Sequence, residues 1–288
     1  MAETSSPTVW RRWLAFELTR LRKAANLEQK DVAKALRCTT AKVSYVENAE
    51  RPVMLRDLEE VLLPLYDVPA EKWPKYLQAA RDSRKKGWWE SYDTDALPDW
   101  FSLFVGLEQG ASQLRVYEAQ LIPGLLQTSD YAVEVSRRST MERAQEQVER
   151  HVEVRLGRQE VLRRRQKPLR LWAVLDEAVL RRVVGDVRVM LEQLTYLRQA
   201  MEQPKITVQV IPFRGGAHPG MVGRFQILDF PWPGDPGVAY VEHRAGAVYL
   251  EGAGEIEAHI VTFEHLCALA LSPDDSAKMV ESIAKEYS

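Results

Sequence analysis

The sequence predicts a multidomain chain: an all-α head built around two short helices joined by a tight turn, followed by an α+β body with a mixed or antiparallel sheet. Three observations carry that prediction. Residues 27–48, LEQKDVAKALRCTTAKVSYVEN, place apolar residues at helical intervals on either side of a break. A basic cluster, Arg84, Lys85 and Lys86, ends at Gly87 and is followed at once by an aromatic patch of Trp88, Trp89, Tyr92, Trp100, Phe101 and Phe104. Beyond it, strand patterns alternate with helix patterns and late in the chain follow one another through short loops. A length of 288 residues suits two domains, and 45% hydrophobic with 28% charged residues is ordinary for a globular chain. The expected division is a flexible N-terminus over 1–8, a helical domain over 9–87 and an α+β domain over 88–288. The aromatic patch reads as the hydrophobic seal of a domain joint, with a ligand cage as the alternative.

In the head, a first helix from about Val9 to Ala25 buries Leu14, Leu18 and Leu21. Leu27, Val32 and Leu36 mark the apolar stripe of the next, with Ala33 small where a neighbouring helix approaches closely. Thr39 or Thr40 caps the following helix, whose Val43 and Val46 pack back on it. Val32, Ala33, Leu36, Val43 and Val46 are therefore the motif core. Helix four runs from Leu55 to Tyr66 and buries Leu58, Leu62 and Leu65.

At about 100° per residue, Ala41, Tyr45 and Asn48 point away from the packed face of the helix after Thr39, with Lys42 and Ser44 on its flanks. A helix presented in this way fits the major groove of double-stranded DNA, roughly 12 Å wide. Thr40, Ala41, Lys42 and Tyr45 are the candidate base readers: Lys42 donates to guanine, Thr40 suits either kind of edge, and the Ala41 methyl meets a thymine methyl. Tyr45 meets either a base or a phosphate. Gln29, Lys30, Ser44, Asn48 and Arg51 fix the register through phosphates. Charge agrees: residues 1–87 hold 17 Lys plus Arg against 12 Asp plus Glu, whereas residues 88–288 hold 22 against 29. The basic head is drawn to phosphate and the acidic body repelled by it.

Gln29, Ala33, Leu36, Val43, Ser44, Glu47 and Asn48 sit where the Xre or λ-repressor-like helix-turn-helix family has its motif residues, so the head resembles that family, whose unit is four or five helices. Where many relatives carry Gly in the turn this chain has Arg37, which in a left-handed conformation carries about 1–2 kcal/mol of strain.

In the body, residues 112–118 alternate as a half-buried strand, Pro123 and Gly124 turn the chain, and Ser129 or Asp130 caps a helix containing Tyr131, Val133 and Val135. Residues 140–166 form a long charged helix whose stripe of Val148, Val152, Leu156 and Leu162 serves as an intradomain packing face or as a dimer seam. A strand over 169–176 and a helix over 186–202 precede four short strands: ITVQVIPF, FQILDF, VAYVEH and AVYLEG. Helices over 255–270 and 274–286 close the chain. The glycine-rich GGAHPGMVG, residues 215–223, reads as a hairpin-type connection between the strands either side of it. Glu242, His243 and Arg244 read as an edge-strand charge cluster, with a pocket lining as the alternative.

No nucleophile elbow, phosphate loop, dinucleotide fingerprint or zinc spacing among the histidines is present in the sequence, so no catalytic residue, cofactor or metal is expected and the chain reads as a non-enzyme. Two distant cysteines, Cys38 and Cys267, imply a reducing compartment. No run of about 18 apolar residues and no signal-peptide pattern occurs, so a cytoplasmic, nucleoid-associated protein without membrane contact is expected.

The motifs GWW, LEQGAS, VYEAQLIPGLLQTSDYA, RLGRQEVL, RLWAVLDEAVLRRVVG, VQVIPF, YVEH, YLEG and ALSPDDSAKMVESIA recur in order over about 200 residues. They are similar to the C-terminal domain of a large actinobacterial family of helix-turn-helix regulators, including WhiJ-like and antitoxin-like members. The resemblance implies a transcription regulator, in some relatives encoded beside a small partner protein. Two expectations stand for the whole chain: a dimeric, autoregulatory DNA-binding regulator whose body binds a partner protein or small effector, or an antitoxin-like protein that sequesters a small partner.

Overall fold

The computed structural model describes residues 6–139 and 144–287, and the chain divides into two units, Met1–Ser91 and Tyr92–Ser288. The first is helical. Helix α1 (Pro7–Ala24) begins earlier than expected. Pro7 has no N–H to leave unpaired and its fixed φ suits a first helical turn, so Pro7 and Thr8 belong to the helix and not to a flexible terminus. Leu14 and Leu18 are buried as expected, while Leu21 is only half-buried. α2 (Gln29–Ala35) starts where Asp31 accepts from the Glu28 backbone N–H at 2.9 Å. α3 (Thr40–Glu47) starts where Thr39 Oγ1 accepts from the Lys42 N–H at 3.3 Å.

The fourth helix is interrupted: α4 (Leu55–Asp57) leads into a π turn (Leu58–Leu62) and then α5 (Leu63–Leu65). Pro64 cannot donate and its ring crowds the preceding turn, and a widened turn accommodates it. The extra residue rotates the following face by one position. Leu63 and Tyr66 are buried beside Leu58 and Leu62, and Leu65, expected inside, is half-buried. α6 (Trp73–Asp82) returns along α1, where Trp13 and Tyr76 pack at 5.1 Å and Tyr76 Oη donates to Glu17 at 2.9 Å. The aromatic patch is shared out: Trp88 and a buried Trp89 lie in the first unit, and Trp100, Phe101 and Phe104 in the second.

Four turns in this unit use non-glycine residues at positive φ: Asn26 (56°), Arg37 (51°), Ala49 (59°) and Asp67 (54°). The left-handed Arg37 foreseen in the motif's turn is therefore present. At Ala49 the Cβ meets the following carbonyl with no side-chain hydrogen bond to compensate. Ala49→Gly is expected to raise head stability by about 0.5–1 kcal/mol, read as an upward shift of its thermal transition.

The second unit carries a six-stranded sheet in the order β3-β2-β1-β4-β5-β6. Its helices and strands in chain order are α7 (Asp99–Gly110), β1 (Gln113–Glu118), α8 (Ser129–Ser139), α9 (Gln145–Arg158), α10 (Glu160–Arg163), β2 (Arg170–Asp176), α11 (Glu177–Arg181), α12 (Val187–Ala200), β3 (Ile206–Ile211), β4 (Phe225–Asp229), β5 (Val238–His243), β6 (Gly246–Leu250), α13 (Ala253–Leu269) and α14 (Pro273–Lys285). β1, β2 and β3 are parallel, and β4, β5 and β6 continue antiparallel, so the sheet is mixed. The whole is an all-α head followed by an α+β body.

Four expectations for the body are corrected. The segment GGAHPGMVG does not close a hairpin: β3 is an edge strand and β4 lies beyond β2 and β1, so the loop is a crossover past the strand ends. Glu242 and His243 end β5, which lies between β4 and β6, and so are not on an edge strand. The stripe on 148–162 takes the first of its two expected readings, intradomain packing: Val148 and Val152 are buried against Ala132 of α8, with Val133 and Leu156 alongside. That helix also ends at Arg158, with α10 set off from it. Residues 140–143 of the expected long helix lie outside the described residues. The cap of α8 is Thr128, whose Oγ1 accepts from the Tyr131 N–H at 3.4 Å, in place of Ser129 or Asp130.

One sheet face is sealed by α13, where Phe263 and Leu266 pack on Tyr117, Val174, Phe225 and Ile227. In the same unit, Glu108 of α7 is fully buried and accepts both arms of Arg158 at 2.8 Å. The Arg158 guanidinium also lies 4.9 Å from the Phe101 ring centre.

Candidate nucleic-acid interface

α3 is held from below by Val43, 4% exposed, against a core that includes Leu18, Val32 and Ala33. Leu36 and Val46, the remaining motif-core residues, are half-buried. Packing along that side leaves Thr40, Ala41, Tyr45 and Asn48 in solvent. Three of the four expected base readers therefore share an open edge at and beyond the amino end of α3. The exposed Tyr45 ring is covered on one side by Arg51, whose guanidinium lies 5.0 Å from its centre. Ser44 Oγ accepts from Asn48 Nδ2 at 3.3 Å, so these two expected phosphate contacts form one polar pair on the flank. Lys30 pairs with Glu28 at 2.6 Å at the start of α2, fully in solvent, where it exchanges readily for a phosphate.

Lys42 stands apart from the other readers. Its Nζ reaches back to Asp57 at 2.7 Å, and that hydrogen bond raises the Lys42 pKa. With the lysine side chain 43% exposed, the pair is a screened surface contact of at most about 1 kcal/mol. A surface pair of that size exchanges readily with a competing acceptor. Until then Asp57 ties α3 to α4.

Gln29 also has a partner within the fold. Its Nε2 donates to Glu47 Oε2 at 2.9 Å, and Glu47 accepts from Arg22 Nε and Nη2 at 2.7 and 2.8 Å. The Glu47 side chain is 4% exposed. Arg22 Nη1 also donates to the Leu27 carbonyl at 3.0 Å. One carboxylate thus locks α1, the turn after it, α2 and α3 into a fixed arrangement, and a bidentate charge-assisted pair is the strongest hydrogen-bonding unit available for that task. The sequence reading placed Glu47 among the motif residues and missed Arg22 and Asp57. Their partners lie 25 and 15 positions away, beyond any local periodicity.

Two rigidly set helices with the second presenting an open edge are the geometry of a DNA-reading unit. A family model described as Helix-turn-helix domain matches residues 13–74, and one described as Domain of unknown function (DUF5753) matches residues 101–282. The chain belongs to the DUF5753 family. In this DUF5753 protein the helix-turn-helix match spans α1 to the start of α6, and the DUF5753 match spans α7 to α14. Comparison with curated proteins and with solved structures gives no match. A helix-turn-helix domain is the fold of DNA-binding regulators, and the open edge of α3 is where such a domain meets its duplex. Among the described residues, no helix is long and apolar enough to cross a membrane, and no group of three or more His, Cys, Asp or Glu is placed to hold a metal ion.

Proposed function

We propose that this DUF5753 protein is a sequence-specific transcription regulator of double-stranded DNA, with an Xre-type head and a body of the WhiJ-like kind, acting where the genome is held. The observation that supports it is the open edge of α3, set rigidly by the Arg22–Glu47–Gln29 lock. Thr40, Ala41 and Tyr45 read base edges, joined by Lys42 once it leaves Asp57. Lys30, Ser44, Asn48 and Arg51 hold the backbone. One head offers few base contacts, so two copies joined through their bodies place two heads on pseudo-palindromic half-sites about one helical turn apart. Where such a site overlaps the protein's own promoter, the outcome is autoregulation. This reading gives the body a binding role and no reaction.

The test separates readers from positioners. Lys42→Ala is expected to weaken the preferred site by about 1–3 kcal/mol and relax base preference at one position. Gln29→Ala, which loosens the setting of α2 against α3, is expected to weaken all sequences alike. Equal losses on specific and random DNA for both variants would contradict the assignment. Asp57→Ala frees Lys42 and removes a negative charge beside it. It is expected to strengthen binding to random DNA and to steepen the dependence of log K on log salt by about 0.9, one additional phosphate contact.

A further inference from the structure

The body contains a cavity of about 340 Å³ beside the carboxyl end of β1, the amino end of β4 and the carboxyl end of β5, roofed by α8 and α9. A volume of that order suits one small metabolite. Strand register builds its polar floor. Tyr117 pairs with Phe225 and Gln226 with Tyr240, so the next residues, Glu118, Arg224 and Glu242, fall in a row across three strands. Arg224 donates to Glu242 at 2.7 Å and only weakly to Glu118, at 3.4 Å. Glu242 accepts in addition from Tyr240 Oη at 3.1 Å. Glu118, 4% exposed, is left with one buried carboxylate oxygen, Oε2, that has no partner. Burial pushes its pKa up to about 7 against the pull of Arg224.

The other unmatched group is Arg155 of α9, which lines the same cavity. Arg155 Nη1 donates to the neutral Gln127 Oε1 at 2.7 Å, and no carboxylate among the described residues lies at ion-pairing distance from it. Its neighbour Arg158 is committed to Glu108. Desolvation, then repulsion from Arg158, lowers the Arg155 pKa to about 10. Glu118 and Arg155 both line this one cavity, together with Arg224 and Glu242. Trp100, Phe101, Leu121 and Ile122 line the same cavity. A half-buried cation with no carboxylate at ion-pairing distance, a buried carboxylate oxygen lacking a donor, and aromatic lining residues define complementary ligand chemistry.

We propose that this cavity binds a small zwitterion of the amino-acid class, its carboxylate on Arg155, its ammonium on Glu118 and an apolar side chain against Trp100 and Phe101. This goes beyond the reading of the head and is tested without DNA. The full chain is titrated with each of the twenty L-amino acids, and for any that binds, with the matching amine lacking the carboxylate and the matching acid lacking the amine. At least one apolar amino acid is expected to bind by calorimetry and to raise the body's thermal transition, with both truncated analogues at least tenfold weaker. Arg155→Met and Glu118→Gln are each expected to lower affinity at least tenfold. Glu118→Gln removes a poorly compensated buried charge and Arg155→Met a half-buried one, so both variants are expected to fold, and their thermal transitions check it. Absence of binding by all twenty, or binding unchanged in both folded variants, would overturn the proposal.

Discussion

Val43→Asp is expected to unfold the head and abolish binding to every DNA sequence while the body keeps its own thermal transition. Val43 is 4% exposed on the underside of α3 and lines the head core with Leu18, Val32 and Val53. The one cation among the residues lining that core, Lys42, is already paired with Asp57. Burying a carboxylate there unpaired costs several kcal/mol, comparable to the whole stability of a domain of this size. Circular dichroism and calorimetry on the full chain, followed by a binding titration, check the three parts separately. Retained specific binding by Val43→Asp would mean that the packing of α3 on its neighbours is not what presents the reading edge.

The second large effect lies in the body. Glu108 is fully buried and takes both arms of Arg158, itself 7% exposed. Glu108→Ala leaves the Arg158 guanidinium in the core without its bidentate carboxylate, beside the Phe101 and Phe104 rings, a loss of about 3–5 kcal/mol. Replacing both, Glu108→Leu with Arg158→Met, removes two desolvation costs together and is expected to restore most of that stability. Calorimetry of the body transition in the single and double variants gives the coupling. A single variant within 1 kcal/mol of the parent would show that the pair is not closed to solvent.

What was legible in the sequence follows the range of each interaction. The start of α3 was readable because Thr39 acts three residues away, and its faces were readable because Val43 and Val46 repeat at helical spacing. Every body strand was readable from alternation and glycine or proline breaks. Strand order was not, since it depends on which edges meet; hence the crossover at residues 215–223 was read as a hairpin and the end of β5 was read as an edge. The inward turn of Leu63 came from one proline acting on backbone hydrogen bonds, which a regular period does not anticipate. The charged locks, Arg22 with Glu47 and Glu108 with Arg158, join residues 25 and 50 positions apart and carry no local signature. For the interface, the open residues Thr40, Ala41 and Tyr45 were legible from helix geometry, and the tether from Lys42 to Asp57 was not.

The central claim is that the open edge of α3 enters the major groove, and Ala41→Glu tests it most directly. Ala41 is exposed in the first turn of α3, where a carboxylate favours the helix through its dipole and disturbs no packing. Sites selected by the parent protein from random duplexes are then titrated with both proteins at one salt concentration. With unchanged melting, Ala41→Glu is expected to bind at least a hundredfold more weakly, repelled by phosphates and base acceptors at the groove. Equal affinity of the two folded proteins for the selected site would show that DNA meets some other surface.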